Sequence, residues 1–260
     1  MFDPKARTLE GKKGLVIGIA NDKSIAYGCA KAFKFLGAED LAITYLNEKA
    51  EPYVRPLADE MGASIFMPLD VSVEGQMEAV FEEIERRWGK VDFALHSIAF
   101  APKEDLHGRV VDCTRDGFLA AMEVSCYSFI RMAHLAEPLM KDGGALFTMS
   151  YYGADRVIEN YNVMGPVKSA LESAARYLAW ELGRNGIRVY AISPGPLETR
   201  AASGIKDFDE FLDRATAEAP AGRLVSIEDV GIACASLATD AARLITGETI
   251  YIDGGLHIMG

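Results

Sequence analysis

Two residues in the chain have the chemistry of a proton-donating pair: Tyr161 and Lys168, in the run Tyr161-Asn162-Val163-Met164-Gly165-Pro166-Val167-Lys168. A free phenol, with a reference pKa near ~10, is a poor donor at neutral pH. A neighbouring ammonium stabilises the phenolate and lowers that value. Seven residues are two turns of an α-helix, so the spacing predicts both side chains on one helical face. From there the lysine can hold a cofactor ribose while the phenol presents its O–H to a substrate oxygen. Pro166 between them is tolerable only near a helix start, where its missing N–H had no partner. Tyr-x6-Lys alone is a common accident, and its weight comes from the rest of the chain. Just upstream, Ser150-Tyr151-Tyr152-Gly153-Ala154 brings further hydroxyls to the end of a predicted strand.

A second set of residues is suited to phosphate. The segment Gly18-Ile19-Ala20-Asn21-Asp22-Lys23-Ser24-Ile25-Ala26 leaves the first predicted strand and enters a helix. Gly18 allows a tight turn and a close approach to a pyrophosphate. Ser24 can cap the helix, and the free N–H groups from Ile25 onward favour an anion. The usual dinucleotide fingerprint is G-x-G-x-x-G, and here Ala20, Ser24 and Ala26 stand where glycines are expected. Position after the first strand of an alternating chain compensates for that departure. Leu46 at the second strand end, Asp70 and Val71 after the third, and Ser97, Ile98 and Ala99 after the fourth complete the predicted cofactor contacts. Asp70 serves equally well as a helix N-cap ahead of Val73. Tyr45-Leu46-Asn47-Glu48 offers no cation to a 2′-phosphate, which favours NADH over NADPH.

The elements that must position these residues are legible as alternation. Short apolar runs begin at Gly14, Leu41, Ser64, Val91, Ala145, Ile187 and Glu248, mostly without polar alternation, as in strands buried on both faces of a parallel sheet. Between them lie helical stripes such as Val73, Met77, Val80, Phe81, Ile84 and Trp88, or Val167, Leu171, Ala174, Leu178 and Leu182. The prediction is an α/β fold: a single Rossmann-type doubly wound parallel sheet flanked by helices, in one domain over residues 1–260. From Pro194 to about Arg223 no strand is signalled. This stretch is predicted to carry a helical substrate-binding lid over about 196–222, mobile from Thr199 to about Leu212.

Bulk properties exclude several classes. The net charge of −11 makes nucleic acid and anionic membrane poor partners. No apolar run reaches the ~20 residues needed to cross a bilayer, and the charged N-terminus is unlike a secretory signal. A cytoplasmic location is therefore expected. Cys29, Cys113, Cys126 and Cys234 are spaced unlike a metal site and read as reduced, mostly buried thiols. His96 has no nucleophile motif beside it and is expected to be a loop or packing residue.

The motifs GIANDKSIAYG at Gly18 to Gly28, HSIAFAP at His96 to Pro102, SYYGA at Ser150 to Ala154 and YNVMGPVK at Tyr161 to Lys168 resemble those of the short-chain dehydrogenase/reductase superfamily. The likeness is to its enoyl-acyl carrier protein reductase branch, and it extends to ISPGPLETRAASGIKDF at Ile192 to Phe208 and the closing Asp253-Gly254-Gly255. Ordinary members of the superfamily use Ser and Tyr-x3-Lys on carbonyls; here the spacing is longer and Tyr151 takes the serine's place. The resemblance implies hydride transfer from NADH to the β-carbon of a trans-2-enoyl thioester in fatty acid biosynthesis. Tyr161 would hydrogen-bond the thioester oxygen, Lys168 would hold the nicotinamide ribose, and Tyr151 would shape the pocket. Gly195, Pro196, Leu197 and Thr199 would cover the nicotinamide and pyrophosphate. Ala101, Met164, Ile205 and Phe208 would line an acyl pocket, although ordinary core packing explains Met164 and Phe208 equally well. An acyl carrier protein as substrate carrier and a homotetramer are also implied. Asp209 and Glu210 depart from the basic surface such docking would use, as does Glu159 from its usual context. The competing readings are a carbonyl reductase or alcohol dehydrogenase of the same superfamily, and a cofactor-sensing protein without turnover. The latter should have lost Tyr161 or Lys168.

Overall fold

The computed structural model describes residues 4–197 and 208–259, with only the backbone of Pro4 and of 208–211. Seven strands form one parallel sheet: β1 (Lys13–Ile17), β2 (Asp40–Tyr45), β3 (Ile65–Pro68), β4 (Phe93–His96), β5 (Gly144–Met149), β6 (Ile187–Pro194) and β7 (Glu248–Ile252). Their spatial order is β3-β2-β1-β4-β5-β6-β7. The chain therefore runs outward from β1 to β3, returns to β4 on the other side of β1, and runs outward again. The C-terminal ends of β1 and β4 flank the switch point, where open α/β sheets take their ligands.

The helices are α1 (Ile25–Phe35), α2 (Glu51–Glu60), α3 (Gln76–Trp88), α4 (Lys103–His107), α5 (Arg115–Met122), α6 (Ser128–Ala136), α7 (Met164–Leu182), α8 (Phe208–Glu218) and α9 (Ile227–Ala238). Strand side chains alternate between two cores. Leu15 and Ile17 of β1 join α3, α6 and α7 on one face. Val16 joins α1, α2 and α9 on the other. Both faces are covered, which is why β6 is buried from end to end and shows no polar alternation.

On the second face α1 and α9 cross closely. A β-carbon on Gly28 would come within 2.3 Å of the Ile227 carbonyl oxygen, and one on Gly231 equally near the Gly28 oxygen. Ser226 and Asp229 start α9 with a reciprocal capping box. A segment of wider π-type winding, Glu123–Tyr127, joins α5 to α6 without a break. Ser125 of this segment exchanges hydrogen bonds with the Phe100 backbone, and Cys126 lies near enough to Lys168 to feel its charge.

Two sequence expectations need correction. Val73 lies before α3 and is 46% exposed, so the core stripe of that helix starts at Met77. Gly75, with φ 85°, takes the N-cap position and turns the chain after Val73. Asp70 consequently caps no helix. Its carboxylate accepts from the Ser72 amide and hydroxyl, closing a local turn. Of the predicted lid, 198–207 lie outside the described residues, and with them Thr199 and Ile205. The helix that follows, α8, contains Phe208 in its backbone, and Ala215 and Ala219 pack with Leu256.

Candidate active site

Beyond the C-terminal edge of the sheet lies a cleft of about 350 Å³. Its walls come from the loops after β1, β4, β5 and β6 and from the start of α7. Of the residues singled out in the sequence it gathers Ile25, Ser97, Ile98, Ala99, Ala101, Tyr151, Tyr161, Met164, Lys168, Gly195, Pro196 and Leu197. Gly18 stands beside it through its contact with Ser97. Leu46, Asp70 and Val71 do not line it. They follow β2 and β3, farther along the same sheet edge.

The phosphate-facing end is preformed. The Ser97 amide donates to the Ile17 carbonyl at 3.0 Å, holding the β1 and β4 exits together. Ser24 sits at the N-cap position of α1, yet its side chain does not cap the helix. Its Oγ instead accepts from the Ala20 and Asn21 amides, both at 3.0 Å, bracing the turn that the missing glycines would have made. Among the described residues the first two amides of α1, Ile25 and Ala26, are left without a partner. Free amides at a helix N-terminus, behind a glycine turn at the switch point, fit a dinucleotide pyrophosphate.

The tyrosine–lysine pair is built differently from expectation. Helix α7 begins at Met164, so Tyr161 is not on it. It sits in a tight turn between Asn160 (φ 63°) and Asn162 (φ 46°), and asparagine is among the few residues that adopt this left-handed backbone readily. Asn162 Nδ2 ties the turn to the Leu106 carbonyl at 2.7 Å. Pro166 falls in the first turn of α7, where its missing N–H breaks no helical bond. Gly153 leaves room for the Tyr161 ring, because a β-carbon there would lie 2.6 Å from Cδ1. The Tyr151 and Tyr161 rings pack with centroids 4.9 Å apart.

The electrostatics also differ. The Tyr161 phenol is pushed up, by burial first and by the Glu172 carboxylate second, not down by an ammonium. Lys168 is directed elsewhere: its Nζ donates to the Met149 carbonyl at 2.6 Å. Burial lowers the Lys168 pKa to about 8, against the opposing pull of Cys126 and Glu172. Tyr151 is raised by burial and by its two tyrosine neighbours. The site therefore holds neutral phenols beside a buried amine that titrates near neutrality. Among the described residues the Tyr161 hydroxyl has no partner and can donate to a ligand in the cleft.

His96 is a buried packing residue at the end of β4. Its ring contacts Ser128 Oγ at 2.7 Å and Thr148 Oγ1 at 3.2 Å, and burial with the Lys168 charge lowers its pKa to about 3. Its burial favours the neutral ring. The cleft also includes Phe100, Leu106, Met149, Ser150 and Pro194, which the motifs did not single out as contacts. Ser150 Oγ donates to Glu172 Oε1 at 2.5 Å. All four cysteines are free thiols, and Cys113 is less buried than the others. Among the described residues no helix is long and apolar enough to cross a membrane.

The model of one family, enoyl-(acyl carrier protein) reductase, matches residues 18–257. The NADH-dependent enoyl-acyl-carrier-protein reductase of Haemophilus influenzae is 48% identical over 251 residues, 96% of this chain and 95% of that one. The crystal structure of the enzyme from Anaplasma phagocytophilum in complex with NAD superposes with a TM-score of 0.93 at 46% identity, covering 97% of this chain and 96% of that one. The Bacillus cereus enzyme, solved with NADP+ and an indole naphthyridinone, gives a TM-score of 0.95 at 42% identity, covering 98% and 99%.

Proposed function

The chain belongs to the enoyl-(acyl carrier protein) reductase family, and we propose that it works by binding NADH along the sheet edge and holding a trans-2-enoyl thioester against Tyr161. The overall reaction saturates the carbon–carbon double bond of an enoyl-acyl carrier protein, a step of fatty acid biosynthesis. NADH, when bound, supplies the hydride. Gly18, Ser24, Ile25, Ser97, Ile98 and Ala99 would hold its pyrophosphate and central portion; Leu46, Asp70 and Val71 the adenosine; Gly195, Pro196, Leu197, Thr199 and Lys168 the nicotinamide half.

The observation that carries this reading is the Tyr161 hydroxyl, unpartnered among the described residues and lining the same cleft as Lys168. As the β-carbon of the thioester accepts a hydride, negative charge grows on the thioester oxygen. A phenol whose proton is held tightly stays neutral and donates a hydrogen bond to that oxygen throughout, and the shielded site makes the bond strong. The raised phenol thus suits an oxyanion donor better than it would suit a base. Tyr151 packs the Tyr161 ring in place, and Ala101, Met164, Ile205 and Phe208 would bound the acyl chain. The acyl carrier protein delivers the substrate. A homotetramer and a cytoplasmic location complete the reading.

Steady-state NADH oxidation tests it, comparing a 2-enoyl thioester with the matching 3-oxoacyl thioester. The expected result is a kcat/KM at least ~10²-fold higher for the enoyl substrate, since only its reduction places the developing charge on the Tyr161-bonded oxygen. Preference for the 3-oxoacyl thioester would make the protein a carbonyl reductase.

A further inference from the structure

One buried carboxylate is not used in the reaction described above. Glu172 lies one helical turn beyond Lys168 on α7, 9% exposed, and accepts the 2.5 Å hydrogen bond from Ser150. Lys168 itself, 4% exposed, donates to Met149. Consecutive turns of α7 are therefore fastened to Met149, the last residue of β5, and to Ser150 just after it, and the next residue in the chain is Tyr151. A carboxylate and an ammonium removed from water are each costly unless another charge or a strong hydrogen bond compensates them.

The groups around Lys168 and Glu172 leave one candidate for that compensation. His96 from β4 is neutral, with its pKa lowered to about 3. Tyr151 and Tyr161 are raised and keep their protons. Cys126, from the π-wound segment, is a buried thiol raised above its ordinary range. Tyr251 of β7, which also senses Glu172, is raised in the same way. Glu172 is the carboxylate among the groups acting on Lys168, and its effect is to favour the ammonium.

We propose that Glu172 is a positioning residue for this reaction: clamped by Ser150, its carboxylate is the buried counter-charge that keeps Lys168 a cation where it holds the cofactor. The inference rests on the reading that Lys168 contacts the cofactor ribose. It assigns the Ser150 hydroxyl to holding the Glu172 carboxylate in place.

NADH binding to the full-length protein, followed by nucleotide fluorescence from pH 6 to 10, tests the proposal without any thioester. Wild-type affinity should fall as the pH rises and Lys168 loses its proton. In Glu172→Gln, which keeps an acceptor for Ser150 but removes the charge, the midpoint of that fall should move about one pH unit lower. Ser150→Ala should move it the same way by less, because the carboxylate is then no longer held in place by the Ser150 hydroxyl, and Ser150→Thr should restore it. A Glu172→Gln protein with the wild-type midpoint, or a wild-type protein with no basic limb, would overturn the proposal. If circular dichroism shows Glu172→Gln unfolded, Ser150→Ala decides, and an unchanged midpoint there overturns it. Failure of the wild type to reduce enoyl thioesters would instead count against the reaction assignment, since binding of NADH is measured independently.

Discussion

A β-carbon on Gly18 would lie 2.1 Å from the carbonyl oxygen of Ser97. The loops leaving β1 and β4 meet there backbone to backbone, at the point where the cofactor crosses the sheet edge. Gly18 also has φ 109°, a conformation that side chains disfavour. Gly18→Ala must therefore separate the two loops or strain the turn, at a cost of ~1–3 kcal/mol. The expected result is at least a tenfold loss of NADH affinity by fluorescence titration, with a lowered melting temperature. Wild-type affinity in this variant would show that the close approach does not shape the cofactor site.

Tyr161 and Lys168 should fail in different ways. Tyr161→Phe removes the free hydroxyl but keeps the ring against Tyr151, so NADH should bind nearly as before while kcat falls ~10²–10³-fold. Lys168→Ala removes the ammonium and the bond to Met149, so NADH affinity should drop sharply. Paired titrations and steady-state kinetics separate the two. Normal NADH binding by Lys168→Ala would overturn the division of roles.

NADH should be preferred to NADPH. After β2 the exposed residues are Leu46, Asn47, Glu48 and Lys49. Asn47 Oδ1 accepts from the Lys49 and Ala50 amides, so it is engaged within its own turn. Arg55 on the following helix is bound to Glu51 and lies over the Phe66 ring. A 2′-phosphate would meet Glu48 ahead of Lys49, and the Arg55 guanidinium is already paired with Glu51. The Bacillus cereus relative was solved with NADP+, which makes the comparison of kcat/KM with the two nucleotides informative. Equal values would contradict the preference.

The chain should associate as a homotetramer. Tyr177 and Trp180 on α7 are 68% and 80% exposed in the single chain, and Leu119, Tyr127 and Ile130 are exposed along the α5–α6 run. Apolar surface of this kind on long helices suits burial between subunits. Light scattering at micromolar concentration should give four times the chain mass. A monomer would refute the assignment.

The sheet was readable because strands buried on both faces leave unbroken apolar runs, and each of the seven emerged within a few residues of its predicted place. The cleft was readable through its motifs, since parallel strands bring the residues after β1, β4, β5 and β6 to one edge. Local geometry was less legible. Tyr-x6-Lys suggested two turns of one helix, whereas Asn160 and Asn162 were the signal of a left-handed turn ahead of α7. Ser24 was the expected helix cap, but in a loop short of glycines its hydroxyl has nearer amides to accept from. The upward shift of Tyr161 came from its burial first and from Glu172, eleven residues downstream, second, and no periodicity announced either.

The central claim, hydride delivery to carbon rather than to a carbonyl, is tested most directly by isotope transfer. The protein is supplied with NADH carrying deuterium at the transferable position and with a 2-enoyl thioester, and the product is read by mass spectrometry and NMR. One deuterium on the β-carbon of a saturated acyl thioester, with a solvent proton on the α-carbon, is the predicted result. With an equimolar mixture of 2-enoyl and 3-oxoacyl thioesters, deuterium appearing on the carbinol carbon of a 3-hydroxyacyl product and none in the saturated chain would contradict it.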